Sequence, residues 1–290
     1  MIIRLLRERR RWQRRRRRPR TRDRKRRRTA KLRLQRFNSS VHFHIPYSRI
    51  GEYLPFINEH RLNLEVYLSA ADLDELGDDA VKALLDSLEH APQLTVHGPF
   101  MDLSPGAVDP LIRGITIERF SKTLDMAGLL KAGNVVFHSG YEKWKYAHRT
   151  DVWLESSLRT WEPLVTQAEA LGITISIENI FEEEPDNLRM LAEAVGSRHF
   201  GLCFDSGHFN LFSSVPLRKW LDLIAPYLVE LHIHDNDGTR DSHMPPDEGV
   251  FDFSELFGYL EAAGAGGFIT TVETHTPDDV LRSIGFLERV

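Results

Sequence analysis

The sequence predicts an α/β chain closed into a single-domain (β/α)8 TIM barrel, and three observations predict it. Eight short, β-rich apolar runs recur along the chain. Amphipathic stretches of helical length separate them. The first run is followed by Pro46-Tyr-Ser-Arg49, not by the glycine-rich phosphate loop that an open doubly wound sheet places there. Near-continuous apolar strands alternating with helices imply a parallel sheet covered on both faces. Eight such units are the number that closes a barrel.

The runs lie at 41–45, 62–67, 94–97, 135–138, 174–178, 200–205, 229–234 and 268–273. The helical candidates are 79–90, 115–130, 151–171, 187–195, 217–227, 253–263 and 277–287. In the first of these, Ala80, Val81, Leu84, Leu85 and Leu88 take the three-and-four spacing of one apolar helix face. At 290 residues the chain suits one barrel, assigned to 41–290, and its 41% hydrophobic content supplies a core.

Composition narrows the class. No apolar run approaches the roughly 18 residues needed to span a bilayer, so no membrane partner is expected. The charged start lacks the apolar segment of a secretory signal. The single cysteine, Cys203, lies inside the apolar run Phe200-Gly-Leu-Cys-Phe204. It reads as a small buried hydrophobe in a reducing, cytoplasmic compartment.

The net charge of −4 conceals a division. Residues 1–37 carry 18 Arg and 2 Lys against Glu8 and Asp23, a balance of +18 that leaves the other 253 residues at −22. The Arg-rich stretch 1–37 is expected to be a disordered tail, since such charge density opposes collapse. It reads either as a nucleic-acid-binding arm or as a segment upstream of a natural start near Val41, which the N-terminal peptide mass of native protein distinguishes. The acidic body repels polyanions, so nucleic acid is disfavoured as a partner of the barrel.

The chemistry gathers at the strand ends. The third run ends in His97, the fourth in His138, the fifth in Glu178 and the sixth in Asp205; the seventh carries His232 and His234, and the eighth ends in Glu273. A barrel brings these ends to one rim, where barrel active sites lie. Imidazole with carboxylate suits Zn, Mn or Fe better than Mg or Ca. His208 follows Asp205 by three residues, with Gly207 permitting a tight turn. Asp241 and His243 alternate by two and so share a face in extended backbone. His232 and His234 share a strand face too. The deeper His232 is the better ligand candidate, and His234 either contacts substrate or packs in the barrel mouth.

Two segments carry a resemblance. Gly201-Leu-Cys-Phe-Asp-Ser-Gly-His-Phe-Asn210 resembles the second signature of AP endonuclease family 2, the endonuclease IV group. His232-Ile-His-Asp-Asn-Asp-Gly-Thr-Arg-Asp-Ser-His243, running on to Glu248-Gly249, resembles the third. His97-Gly-Pro-Phe100, Phe137-His-Ser-Gly140 and Ile177-Glu-Asn179 match the earlier strand ends. The wider group is the xylose isomerase-like barrels, which include sugar isomerases and epimerases.

The resemblance implies up to three Zn2+ held by His97, His138, Glu178, Asp205, His208, His232, Asp241, His243 and Glu273. The isomerase branch implies instead one Mn2+ held by Glu178, Asp205, His232 and Glu273. Two residues depart from the endonuclease pattern: Asp247 stands where Gly is usual, and Phe100 where Tyr is usual. The loop from Tyr141 to Arg149 mixes aromatic and basic groups. Phe100, Tyr141, Lys143, Lys145 and His234 are therefore candidate substrate contacts, with Arg149 as a further steering charge.

Three functions follow as expectations. The first is metal-dependent phosphodiester hydrolysis, on a small phosphodiester or, as the resemblance implies, on abasic DNA or the nucleotide loop of a cobamide. The second is isomerisation or epimerisation of a sugar or sugar phosphate, with Glu178 and Glu273 as the catalytic, proton-moving pair. The third is nucleic-acid binding through the basic tail, with the barrel as scaffold.

Overall fold

The polypeptide of the computed structural model alternates strand and helix from β1 onward; the structure describes Phe37 and residues 39–290. The expected basic tail, its disorder included, lies outside the described residues apart from Phe37. That residue is buried, sets its ring at a tilt against Phe257 and Phe268, and accepts the Gly267 N–H through its carbonyl. The packed part of the chain thus reaches back past Val41.

The elements are β1 (Ser40–Pro46), α1 (Tyr47–His60), β2 (Asn63–Tyr67), α2 (Ala70–Glu75), α3 (Asp78–Ser87), β3 (Leu94–His97), α4 (Pro110–Leu130) and β4 (Asn134–His138). There follow α5 (Thr150–Leu171), β5 (Thr174–Glu178), α6 (Asp186–Val195), β6 (Phe200–Asp205), α7 (Ser206–Phe212), α8 (Leu217–Ile224), β7 (Leu228–Ile233), α9 (Phe253–Ala262), β8 (Ile269–Val272) and α10 (Pro277–Leu287). The strands pair in sequence order, all parallel, and β1 closes on β8. This is the (β/α)8 TIM barrel that the sequence predicts. No helix among the described residues is long and apolar enough to cross a membrane.

Strand alternation divides each strand between two environments. In β1, Phe43 and Ile45 belong to the apolar core, while His42 and His44 hydrogen-bond to the polar groups of the barrel interior. Trp153, Trp161 and Trp220 fill the layer between sheet and helices and are fully buried. Cys203 is buried as a free thiol, as its apolar run implies.

Several boundaries differ from the sequence reading. α4 begins at Pro110, five residues before the expected 115, because Asp109 caps Leu111 N–H at 2.8 Å and proline opens the first turn. Leu111, Ile112 and Ile115 are exposed there, so this turn has no amphipathic signal to read. α8 stops at Ile224 and Ala225–Tyr227 continues as a 3-10 turn, since Pro226 has no N–H to give to the helix. His234 and Glu273 each lie one residue beyond their strands, although Glu273 N–H still donates to Ile233 O at 3.3 Å. α1, α2 and α7 are not among the expected helices; α2 is a six-residue turn held by a Ser69–Asp72 capping box.

The backbone accounts for one departure noted above. Asp247 has φ 72°, in the left-handed region that glycine enters freely and an L side chain enters at a cost. Its exposed ion pair with Arg289, at 3.6 Å, offsets little of that cost. Asp247→Gly is expected to raise stability by about 0.5–1 kcal/mol, read as a higher urea midpoint at unchanged slope. A lower midpoint would show that the aspartate side chain holds the turn.

Candidate metal centre

The barrel interior carries two polar levels. The lower is formed by Glu65 of β2, Glu230 and His232 of β7, Asn134 of β4, Ser176 of β5 and Thr271 of β8, all buried. Asn134 Nδ2 donates to Glu230 Oε2 at 2.5 Å, Ser176 Oγ donates to Asn134 Oδ1 at 2.9 Å, and Thr271 donates its hydroxyl to Glu230. Burial, then the nearby Glu65 charge, pushes the Glu230 carboxyl up to about 8.

The upper level is a ring of carboxylates and imidazoles at the strand ends. Glu178 sits at its centre. Its Oε2 lies 3.1 Å from His97 Nε2 and 3.4 Å from His138 Nε2. Its Oε1 lies 3.1 Å from His208 Nδ1 and 3.5 Å from His232 Nδ1. Burial alone would raise its pKa, but His232, His138 and His208 outweigh burial and hold the carboxyl well below the usual range.

Asp205 ends β6 and caps α7 by accepting His208 N–H at 2.7 Å. Its Oδ2 also lies 3.0 Å from His234 Nε2. Asp241 and His243 arrive on the loop after β7, with His243 Nε2 3.0 Å from Asp241 Oδ2 and His208 Nε2 3.4 Å from the same oxygen. The His234 and His243 rings stack at 4.1 Å and 5°. Glu273 completes the ring: its Oε1 lies 3.1 Å from His44 Nδ1 and 3.2 Å from His232 Nδ1, and its Oε2 lies 3.6 Å from His243 Nδ1.

The structure thus brings His97, His138, Glu178, Asp205, His208, His232, Asp241, His243 and Glu273 together, and adds His234. The two histidines of β7 separate by role. His234 approaches Asp205 and the Asp241–His243 pair, whereas His232 turns Nε2 toward Glu65 and only Nδ1 toward the ring.

Gly207 is required for a reason other than the turn. A Cβ there would stand 2.0 Å from His234 Cε1 and 2.5 Å from its Nδ1, and the residue has no positive φ. Gly207→Ala is expected to displace His234 and to cost about 1–3 kcal/mol of stability. It should also weaken Zn2+ binding at least tenfold if His234 holds an ion, measured by competition with a chromophoric chelator.

The substrate candidates scatter. Phe100 stacks on His138 at 4.3 Å and 17°, walling the His97–His138 side of the ring. Tyr141 packs against Tyr146 and Trp153. Lys143 pairs with Glu183, Lys145 donates to Ser104 Oγ at 2.8 Å, and Arg149 pairs with Asp151. The basic groups of this loop therefore already have partners.

The donor set fits divalent cations. Donor atoms of His97, His138 and Glu178 lie within 4.8 Å of one another, as do those of Asp205, His208 and His234, of His234, Asp241 and His243, and of His44, Glu65 and Glu273. His232 Nδ1 and His234 Nδ1 are buried without a hydrogen bond. Ring nitrogens without a hydrogen bond, facing carboxylate oxygens in a buried site, are an arrangement that a cation satisfies. His44, Glu65 and Glu230 escape a search of strand ends; their signal is an ionisable residue at an alternate position inside an apolar strand.

Comparison with known proteins agrees with this barrel. The AP endonuclease 2 family model, described as xylose isomerase-like TIM barrel, matches residues 56–290. The uncharacterised protein MJ1311 of Methanocaldococcus jannaschii is 28% identical over 198 residues, 66% of this chain and 67% of its own. The TTHB071 protein from Thermus thermophilus, in a structure described as soaked with ZnCl2, is 30% identical with a TM-score of 0.71, covering 86% of this chain and 97% of that one. A D-tagatose 3-epimerase-like protein is 25% identical with a TM-score of 0.73, covering 86% and 96%. The chain belongs to the xylose isomerase-like TIM barrel family.

Proposed function

We propose that this enzyme is a divalent-metal-dependent isomerase or epimerase acting on a sugar or sugar phosphate. The observation that carries the reading is the convergence of Glu178 and Glu273, on β5 and just past β8, on His232: their Oε1 atoms lie 3.5 and 3.2 Å from the same Nδ1. Two buried carboxylates flanking one point can remove a proton from one face of a carbon and return one to the other. The similarity to a D-tagatose 3-epimerase-like protein supports the same reading.

Glu178, Asp205, Glu273 and His232 would hold the ion, since His232 Nδ1 faces both glutamates, with His234 beside Asp205 as a further ring. A bound divalent ion polarises a carbonyl and the neighbouring hydroxyl, which makes the hydrogen between them acidic. Glu273 and Glu178 then serve as base and acid on opposite faces. His208, fixed through its backbone by Asp205, offers a ring N–H to a substrate oxygen. Phe100 excludes water from one side.

The test is turnover of keto and aldo sugars in D2O with Mn2+ supplied: deuterium should enter the product at a single carbon. Turnover with no deuterium incorporation overturns the proton-transfer reading.

One observation favours a second reading, hydrolysis of a small phosphodiester. His97, His138, Asp241 and His243 converge on the same ring although a single-ion isomerase needs none of them. The TTHB071 structure, described as soaked with ZnCl2, is similar at 30% identity. Elemental mass spectrometry of protein purified without chelator separates the two. About one ion per chain, chiefly Mn, supports the isomerase, and about three, chiefly Zn, supports the hydrolase.

A further inference from the structure

Glu65 lies in the middle of β2 between Leu64 and Val66, fully buried. A carboxylate there costs several kcal/mol unless its oxygens are hydrogen-bonded. Both are. Oε1 lies 2.8 Å from His44 Nδ1, and Oε2 lies 3.2 Å from His232 Nε2. Each histidine also faces the upper ring: His44 Nδ1 is 3.1 Å from Glu273 Oε1, and His232 Nδ1 is 3.2 Å from that oxygen and 3.5 Å from Glu178 Oε1. The neighbouring Glu230 is not the group that holds His232. Its nearer oxygen is 3.8 Å away, and its own hydrogen bonds come from Asn134 and Thr271.

A carboxylate has no proton to give, so His232 must carry hydrogen on Nε2 to bond Glu65. In a neutral ring that leaves Nδ1 a bare lone pair, aimed at two carboxylate oxygens and without a hydrogen bond. Such a contact is favourable with a cation among the three or, without an ion, only with a second proton on the ring.

We propose that Glu65 is a positioning residue of this centre: it accepts the Nε2–H of His232, so fixing the tautomer whose Nδ1 faces Glu178 and Glu273, while its other oxygen tethers His44 against Glu273. The inference rests on the reading of the ring as a divalent-cation site. A carboxylate behind a ligand histidine sets ring direction and raises ligand basicity, and its loss typically costs 10–100-fold in metal affinity.

The first test needs no variant of Glu65. Long-range 1H–15N spectra of the full chain with Zn2+ added should show the His232 ring protonated at Nε2, its signals assigned by their loss in His232→Asn. A ring protonated at Nδ1 overturns the proposal. The second test is chelator competition. Glu65→Gln offers one acceptor oxygen where two ring N–H groups each need one, and should weaken Zn2+ binding about 10–100-fold with a changed His232 tautomer signature. Glu65→Asp, which keeps the charge, should recover part of that loss. Unchanged affinity and spectra in Glu65→Gln overturn the proposal. If the wild-type chain takes up no Zn2+ or Mn2+, the cation reading falls, while the Nε2–H signal of the metal-free protein, compared between wild type and Glu65→Gln, still decides whether Glu65 holds His232: an unchanged signal overturns it. Should Glu65→Gln fail to fold, the wild-type spectra decide alone.

Discussion

Glu178→Gln and Glu273→Gln are each expected to lower kcat by about 10²–10⁴-fold, the range for loss of a positioned general acid or base. Both substitutions keep volume and remove the group that takes or gives a proton. They differ in what else they disturb. Glu178 sits among His97, His138, His208 and His232, so its loss also removes the shared anion of four rings. Glu273 faces His44, His232 and His243, and its backbone closes onto β7. Solvent-deuterium exchange into substrate, measured without waiting for net conversion, separates the pair. If one glutamate removes the proton and the other returns it, one variant should retain exchange while losing epimerisation, and the other should lose both. Equal residual exchange and turnover in both variants would mean that the carboxylates serve only to bind.

The same residues show what a sequence can and cannot display. His97, His138, Glu178 and Asp205 each close an apolar run, so the change in polarity marks both the strand end and the candidate site. Parallel strands of one barrel share a rim, and no further information is needed to bring those residues together. Glu65 and Glu230 interrupt runs rather than close them, and such an interruption has no meaning until barrel closure sets β2 beside the far wall, where Glu65 meets His232, 167 positions away. The choice between His232 and His234 is a matter of ring direction. Depth favours His232, whose Nδ1 faces Glu178 and Glu273, while the ring nitrogen nearest Asp205 belongs to His234, and the space for that ring exists only because Gly207 has no side chain. Charge was also misleading by itself. Lys143 reads as a phosphate contact in a basic loop, whereas Glu183, 40 residues on, folds back to pair with it. α1 opens directly after Pro46 and carries Pro55 within it, so periodicity alone gives it no clear start.

Removing the metal is expected to lower the melting temperature by roughly 8–16 °C relative to protein held at about a thousand times its Kd in Zn2+ or Mn2+. An ion that binds only the folded chain at that excess contributes about 4 kcal/mol. One kcal/mol moves the melting temperature of a barrel-sized domain by about 2–4 °C. The sign follows from the site. Glu178, Asp205 and Glu273 are buried together, and without an ion their charges are offset only by histidines, which must leave water protonated to do so. His44 illustrates the competition: burial pushes its pKa down, but Glu273 and Glu65 together raise it to about 10. An ion supplies the positive charge directly and frees the ring nitrogens to act as donors to it. Differential scanning calorimetry with and without a chelator checks this, and titration of the apo protein should recover the shift, which above the Kd keeps growing with the logarithm of free ion. A melting temperature indifferent to chelator and ion would mean that the histidines alone balance the carboxylates, and that the ring is a structural charge network.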